Sequence, residues 1–274
     1  MPEASTTRPS TPTADLAARP EPGDSYVQSF ARGLAVVRTF SADAPAQTIA
    51  EVAERAGLTR AGARRILHTL QYLGYVEADG RLFRLTPKIL DLGFAYLSSL
   101  PLWNLAEPVM EELVQEIKES CSAAVLDGSD IVYVLRVPTH KIMAINLGVG
   151  SRLPAYCTSM GRVLLAGLPP SALEARLAQM PLEPRTPKTV TDPARLRELI
   201  EQVRMQGWAL VAEELEEGLV SLAAPIRGRQ GEVVAAINVS GQQHRTPPVV
   251  MLERFLPKLL KAAHEISAMI GGKT

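Results

Sequence analysis

A cluster of guanidinium and hydroxyl groups lies between residues 59 and 68: Thr59-Arg60-Ala61, then Arg64-Arg65, then His68. At 100° per residue, Ala61, Arg64, Arg65 and His68 fall on one side of a helix, and Ala63, Ile66, Leu67, Leu70 and Leu73 fall on the other. Arginines on the N-terminal half of an outward helix face suit the DNA major groove. There a guanidinium binds a guanine edge through two hydrogen bonds, while threonine or arginine grips phosphate. The competing reading is an ordinary solvated helix face.

Nucleophiles form the second set. Cys157 and Ser159 are the candidates for covalent chemistry, and a hydrolase built on either would need a histidine partner. No G-x-S-x-G elbow occurs, and neither His140 nor His244 sits in a motif with a carboxylate. The expectation is therefore no catalysis. The four histidines, at 68, 140, 244 and 264, lack metal-ligand spacing, and Cys121 and Cys157 are far apart. Disulfide frameworks and zinc sites are disfavoured, no cofactor is expected, and a reducing cytoplasm fits.

The arginine face needs elements to hold it. Ser29 to Phe40 reads as an amphipathic helix on Phe30, Leu34, Val37 and Phe40. Thr48-Ile49-Ala50-Glu51 forms a capping box that opens a second helix, and Gly57 suits the left-handed turn that ends it. Thr59 then caps the third helix, which runs to Leu73. Ala53, Gly57, Leu58, Ala63 and Ile66 supply the small and apolar residues that two helices meeting at a sharp angle require. Tyr75-Val76-Glu77 and Arg81-Leu82-Phe83-Arg84-Leu85 flank Asp79-Gly80, a hairpin signal. The expectation is a winged helix-turn-helix with Thr48, Thr59, Arg60, Ala61, Arg64, Arg65, His68, Arg81 and Arg84 as candidate contacts to double-stranded DNA.

Charge agrees locally. The 274 residues carry 29 basic and 29 acidic side chains, a net charge of zero. Within residues 25–86, however, eight arginines oppose five acids. A neutral chain thus contains a basic module, as phosphate binding requires. The Pro-, Ser- and Thr-rich residues 1–24 read as a disordered tail. No run approaches the length of a membrane span, and no signal-peptide core is present, so a location within the cytoplasm and no membrane partner are expected.

Beyond the hairpin, Pro87 to Leu100 reads as a linker helix on Ile89, Leu90, Phe94 and Leu97. Residues 101–271 read as a second domain. A helix is expected from Leu105 to Glu119, strands at Ala123–Leu126, Ile131–Val137 and Lys141–Leu147, and a helix at Met160–Ala166. A further helix opens at Asp192-Pro193 and closes at Gly207. Strands at Trp208–Val211, Val220–Pro225 and Val233–Ser240 precede a final helix from Pro248 to Met269. Such alternation predicts an α+β sensor with its pocket between sheet and loops. Gly148, Gly150 and Ser151 lack the Lys-Ser pair of a phosphate loop and read as a plain turn.

Leu58-Thr-Arg-Ala-Gly-Ala-Arg-Arg-Ile-Leu-His-Thr-Leu-Gln-Tyr-Leu-Gly-Tyr-Val76 and Tyr156-Cys-Thr-Ser-Met-Gly-Arg-Val-Leu-Leu-Ala166 resemble the IclR family of transcription regulators. Together with Glu213 to Ile226 and Ala235 to Gly241, they are most similar to its Pca and Pob branch, which controls aromatic-acid catabolism. The resemblance implies a GAF-like effector-binding domain and a homodimer or dimer of dimers. It also implies a small organic acid as effector, either an aromatic acid or a β-ketoadipate pathway metabolite. The implied pocket comprises Tyr156, Cys157, Thr158, Ser159 and Met160, an acidic position at Glu213, and strand positions Ser221, Asn238 and Ser240. Arg152, with Arg136 as second choice, is the expected cation for the acid. The remaining alternative is a winged-helix protein-protein adaptor carrying a small-molecule sensor.

Overall fold

The computed structural model describes residue 23 and residues 26–98, 102–139 and 147–271, and it divides into two compact units between Ser99 and Leu100. The expected tail, residue 23 apart, and residues 141–146 of the strand expected at Lys141–Leu147 lie outside the described residues, and Leu147 itself is in no strand. None of the described helices is long and apolar enough to cross a membrane.

The first unit runs α1 (Gln28–Arg38), β1 (Ala46–Gln47), α2 (Ile49–Arg55), α3 (Arg60–Tyr72), β2 (Val76–Asp79) and β3 (Leu82–Leu85). A 3-10 turn (Pro87–Ile89) and α4 (Leu90–Ser98) follow. The capping box forms as the sequence predicts: the Thr48 amide donates to the Glu51 carboxylate at 2.7 Å, and the Glu51 amide donates back to the Thr48 hydroxyl at 3.4 Å. Gly57 adopts φ +63° at the turn, and the Thr59 hydroxyl accepts from the Gly62 amide at 3.1 Å to start α3. Asp79 pairs with Leu82, so the hairpin turn is Gly80-Arg81, with Gly80 at φ +60°. Sheet order is β1-β3-β2, and Val36, Val52, Ala53, Ala63, Leu67, Val76 and Phe83 form the core beneath it.

One expectation changes here. In α1 it is Val36 that enters the core, while Phe30 is 67% exposed and Leu34 is also exposed. The apolar stripe read from the sequence is therefore split: Phe40 packs against the core and Val37 is half-buried, while Phe30 and Leu34 face outward. In α4, Leu90, Leu92 and Phe94 are exposed as well.

The second unit begins with α5 (Leu102–Ile117), β4 (Ser120–Asp127), β5 (Asp130–Val137) and β6 (Arg152–Pro154). Then come α6 (Ser159–Ala166), α7 (Pro170–Leu177), α8 (Pro193–Gln206) and β7 (Ala209–Ala212). The chain continues with β8 (Leu219–Arg227), β9 (Val233–Gln242), α9 (Pro248–Val250), a π-turn (Met251–Phe255) and α10 (Leu256–Met269). The expected final helix is thus broken at its start. Pro257 has no N–H to donate and its ring crowds the carbonyl four residues back, which the wider π-turn accommodates.

The six strands form one antiparallel sheet, ordered β6-β5-β4-β9-β8-β7. Helices α5 and α10 pack on one face and α6 on the other, with α8 packed against α6. Alternation sorts the strands. Ala124, Ala223 and Ala236 lie in the core beneath α6. Their small side chains let α6 approach the sheet. Gly161 lets α6 pack against the turn that precedes it, since a Cβ there would sit 2.1 Å from the Ala155 carbonyl oxygen.

Candidate functional site

In the first unit, Thr59, Arg60, Ala61, Arg64, Arg65 and His68 are all exposed along α3, and Arg81 and Arg84 are exposed on the hairpin. Arg60, Arg64, Arg65, Arg81 and Arg84 make no ion pair with an acid among the described residues. Five unneutralised guanidinium groups are what a phosphate backbone would meet. The geometry also ranks the candidates. Arg84 stands directly across from Glu77 in the sheet, so part of its field is offset. The His68 ring sits edge-on to Phe83, with centroids 6.0 Å apart, and its Nδ1 lies 3.2 Å from the Gln71 side chain. The Thr48 hydroxyl donates to Glu51 at 2.8 Å and belongs to the helix cap.

In the second unit, the sheet face beneath α6 continues past its alanines into an open-mouthed cavity. Strand register lays out its floor as two rows. Arg136 on β5 pairs with Ser122 on β4, which pairs with Asn238 on β9, which pairs with Ala223 on β8. One step along, Ser120 pairs with Ser240, Ser240 with Ser221, and Ser221 with Val211. With strands about 4.8 Å apart, Arg136 and Asn238 are separated by roughly 10 Å between Cα atoms.

Arg136 reaches this face through a bulge. Leu135 pairs with Ala123 and Tyr133 with Ala124, leaving Val134 unopposed. The extra residue puts Tyr133 and Arg136, three apart, on the same side of the sheet. Both line the cavity.

The N-terminus of α6 closes the other side. Cys157, Thr158, Ser159 and Met160 line the cavity, with Glu213, Ser221, Asn238 and Ser240. Thr158 is committed to structure: its hydroxyl donates to the Pro154 carbonyl at 3.0 Å and accepts from the Gly161 amide at 3.2 Å. Ser159 and Met160 are the first helical residues, whose amides have no intrahelical acceptor, and the helix dipole is positive there.

Two expected pocket residues lie elsewhere. Arg152 is bound to Asp127 at 2.7 Å and Asp130 at 3.2 Å, and it is not on the cavity wall. Among the described lining residues the cation is Arg136. Tyr156 is buried with its hydroxyl donating to the Glu183 carbonyl at 2.6 Å, and its ring likewise stays off the wall. Glu213 lines the cavity, but its carboxylate is held by Lys188 and by the Gly218 amide at 3.0 Å. The Lys188 contact, then the Gly218 amide, keep that carboxyl below the usual carboxylate range. Glu213 also adopts φ +59°, a strained backbone for a residue with a Cβ.

Several wall residues escaped the sequence reading. Glu214 is buried and binds Arg162 at 2.6 Å, while Arg162 Nε donates to the Tyr156 carbonyl at 3.1 Å. Ser120 and Ser122 lie ahead of the strand expected to start at Ala123, and Tyr133 lies within the expected strand Ile131–Val137 but shares a face with Arg136 only through the bulge at Val134. The polar-apolar alternation Ser120-Cys121-Ser122, repeated in Asn238-Val239-Ser240, was the available signal.

The polar groups are arranged to give protons. Ser122 Oγ accepts from Arg136 at 3.5 Å, Ser120 Oγ from the Thr139 amide at 3.1 Å, and Ser240 Oγ from Asn238 Nδ2 at 2.9 Å. Each hydroxyl therefore keeps its own proton to donate. Ser159 and Ser221 share one hydrogen bond of 2.7 Å and retain one proton between them. Beside an arginine with no ion pair among the described residues, this array suits the several acceptor oxygens of a carboxylate. It does not suit covalent chemistry. Burial pushes the Cys157 thiol up to about 11 and the Tyr133 phenol to about 12, and no histidine lines the cavity among the described residues. Among the described residues there is also no cluster able to hold a metal ion.

Comparison with known proteins gives the chain its relatives. Residues 29–80 match the IclR helix-turn-helix domain, and residues 94–268 match the bacterial transcriptional regulator IclR C-terminal domain. The chain is 44% identical over 248 residues to the Pca regulon regulatory protein of Pseudomonas putida, covering 90% of this chain and 85% of that relative. A transcriptional regulator from Rhodococcus sp. RHA1 superposes with a TM-score of 0.82 at 47% identity, covering 89% of this chain and 98% of that one. An IclR homolog from Microbacterium hydrocarbonoxydans, solved with 4-hydroxybenzoate, gives a TM-score of 0.77 at 30% identity over 88% of this chain and 98% of that one.

Proposed function

The chain belongs to the IclR family of bacterial transcription regulators and is not an enzyme, and we propose that its operator affinity is set by a small organic acid whose carboxylate is held at Arg136. The observation that carries this reading is the Arg136 guanidinium, without an ion pair among the described residues, on the wall of a cavity whose serine hydroxyls keep their protons to donate. A partly buried cation is better solvated by an anion than by a wall of serines, and a bound carboxylate supplies that compensation. The Microbacterium homolog's complex with 4-hydroxybenzoate supports an aromatic acid here, and the likeness to the Pseudomonas Pca regulator supports a role in aromatic catabolism.

On the DNA side, Arg60, Arg64 and Arg65 enter the major groove from α3, and Arg81 grips phosphate from the wing tip. The exposed stripes of α1 and α4, with Phe30, Leu34, Leu90 and Phe94, favour a second copy of this chain as their cover. Pairing of two copies would match two half-sites about one helical turn apart or a multiple of it. The acid can act only by binding two arrangements of such an assembly with different affinities.

The test is a thermal-shift titration of the purified protein with aromatic and dicarboxylic acids, followed by operator-binding assays with and without any stabilising acid. A ligand raises the melting temperature with concentration. Stabilisation by at least one acid, together with changed operator binding, is the expected result; stabilisation by none would overturn the reading.

A further inference from the structure

The arginine end of the cavity leaves the identity of the ligand's other end open, and the hydrogen-bond inventory there is lopsided. Asn238 is buried, its Nδ2 donates to Ser240 Oγ at 2.9 Å, and its Oδ1 has no donor among the described residues. Two of the three other buried polar atoms in that condition belong to Gln47 and Trp103, the third to Gln243, and none of these residues lines the cavity. An acceptor buried without a donor is costly, so a donor arriving from the cavity is favoured.

Resting on the acid reading above, we propose that Asn238 selects ligands whose second polar group is a neutral hydroxyl and rejects those that bring a second carboxylate. A hydroxyl donates its proton to Oδ1 and can accept from the Ser240 hydroxyl, which keeps its own proton. A carboxylate has no proton to give, so its oxygens would face Oδ1 lone pair to lone pair. It would also lack a counter-ion, since Arg136 is the cation among the described lining residues and the other charged ones are Glu213 and Glu214. A site built to receive a hydroxyl discriminates strongly against the analogue that lacks it, because its own buried group is then left unpaired.

Isothermal titration with three acids sharing one ring tests the inference on the full-length protein: 4-hydroxybenzoate, benzoate and terephthalate. The hydroxy acid is expected to bind about tenfold or more tighter than benzoate, and terephthalate weaker than both. In Asn238→Leu the hydroxy acid and benzoate converge to within about threefold, an apolar side chain being unable to accept the proton. Ser240→Ala provides a second variant should Asn238→Leu fail to fold. It frees the amide to turn its NH2 inward, so terephthalate gains relative to 4-hydroxybenzoate. Equal binding of 4-hydroxybenzoate and benzoate to the unmodified protein overturns the inference, as does terephthalate binding as tightly as 4-hydroxybenzoate, and so does unchanged selectivity in both variants. Benzoate and terephthalate binding without preference would leave the acid reading standing, whereas binding of none of the three overturns that reading and the inference with it.

Discussion

Lys88 Nζ donates to the carbonyl of Leu73 at 2.9 Å, at the C-terminal end of α3, and lies 5.2 Å from the centre of the Tyr75 ring. Thr86 adds a second tie from its hydroxyl to the Gly74 carbonyl at 2.6 Å. The cation sits where the helix dipole is negative and where carbonyls lack partners. These bonds fasten the end of the arginine-bearing helix to the segment that leads into α4. Replacing Lys88 with Met keeps the aliphatic stem and removes the donor. Operator affinity measured with and without the acid is expected to differ less in this variant, with acid affinity unchanged. An undiminished response would show that the tie carries no coupling.

The two sets of arginines have different expected signatures. Arg64→Ala and Arg65→Ala together should level binding between operator and unrelated DNA, because each two-pronged grip on a base is worth about 1–3 kcal/mol of discrimination. Arg81→Ala should weaken both DNAs alike and reduce the slope of log affinity against log salt by about one. Arg84→Ala should do so less, because Glu77 stands opposite. Competition binding over a salt series separates the three.

Two arginines of the second unit make opposite predictions. Arg136→Gln removes the cation from the cavity and is expected to abolish acid-dependent stabilisation. Arg152→Gln breaks an exposed pair of contacts with Asp127 and Asp130 and should leave acid affinity unchanged. Thermal shift with the same acid on both proteins decides between them.

The Arg162–Glu214 pair is buried on both sides, with the arginine side chain 4% exposed. Arg162→Met should destabilise the protein by about 3–5 kcal/mol, since it strands a carboxylate in the interior. Adding Glu214→Leu to it should recover much of that loss. Denaturant unfolding of the two variants provides the comparison.

Glu213 has a pH signature. Lys188, then the Gly218 amide, depress its folded pKa, so its contribution is complete above the unfolded value and fades as pH falls through the folded one. The stability gap between the unmodified protein and Glu213→Gln should therefore be widest near neutral pH and close on acidification. A gap that widens in acid would reverse the assignment.

What the sequence disclosed and what it hid divide along one physical line. The capping box at Thr48, the left-handed Gly57, the Thr59 cap and the outward arginines depend on residues within a few positions of one another. The cavity depends on register. Arg136 meets Ser122 and Asn238 only through pairings between distant strands, and an alternation counted along β5 from Tyr133 would turn Arg136 to the other face. The unopposed Val134 reverses that outcome, and no residue type announces it. Likewise the spacing of Phe30 and Leu34 revealed a helical stripe without revealing which way it points.

The two rows of the cavity floor share their strands with the core. Ser122 alternates with Cys121 and Ala123, Asn238 with Ile237 and Val239, and Ser221 with Val220 and Leu222, all of these neighbours buried. Cavity wall and core are thus written in alternate letters of the same segments. Descendants of such a chain can exchange the odd serine or asparagine and acquire a new chemical vocabulary, while the intervening letters keep the sheet intact. Sensors with altered ligand range are accordingly within reach of a few substitutions, without redesign of the scaffold.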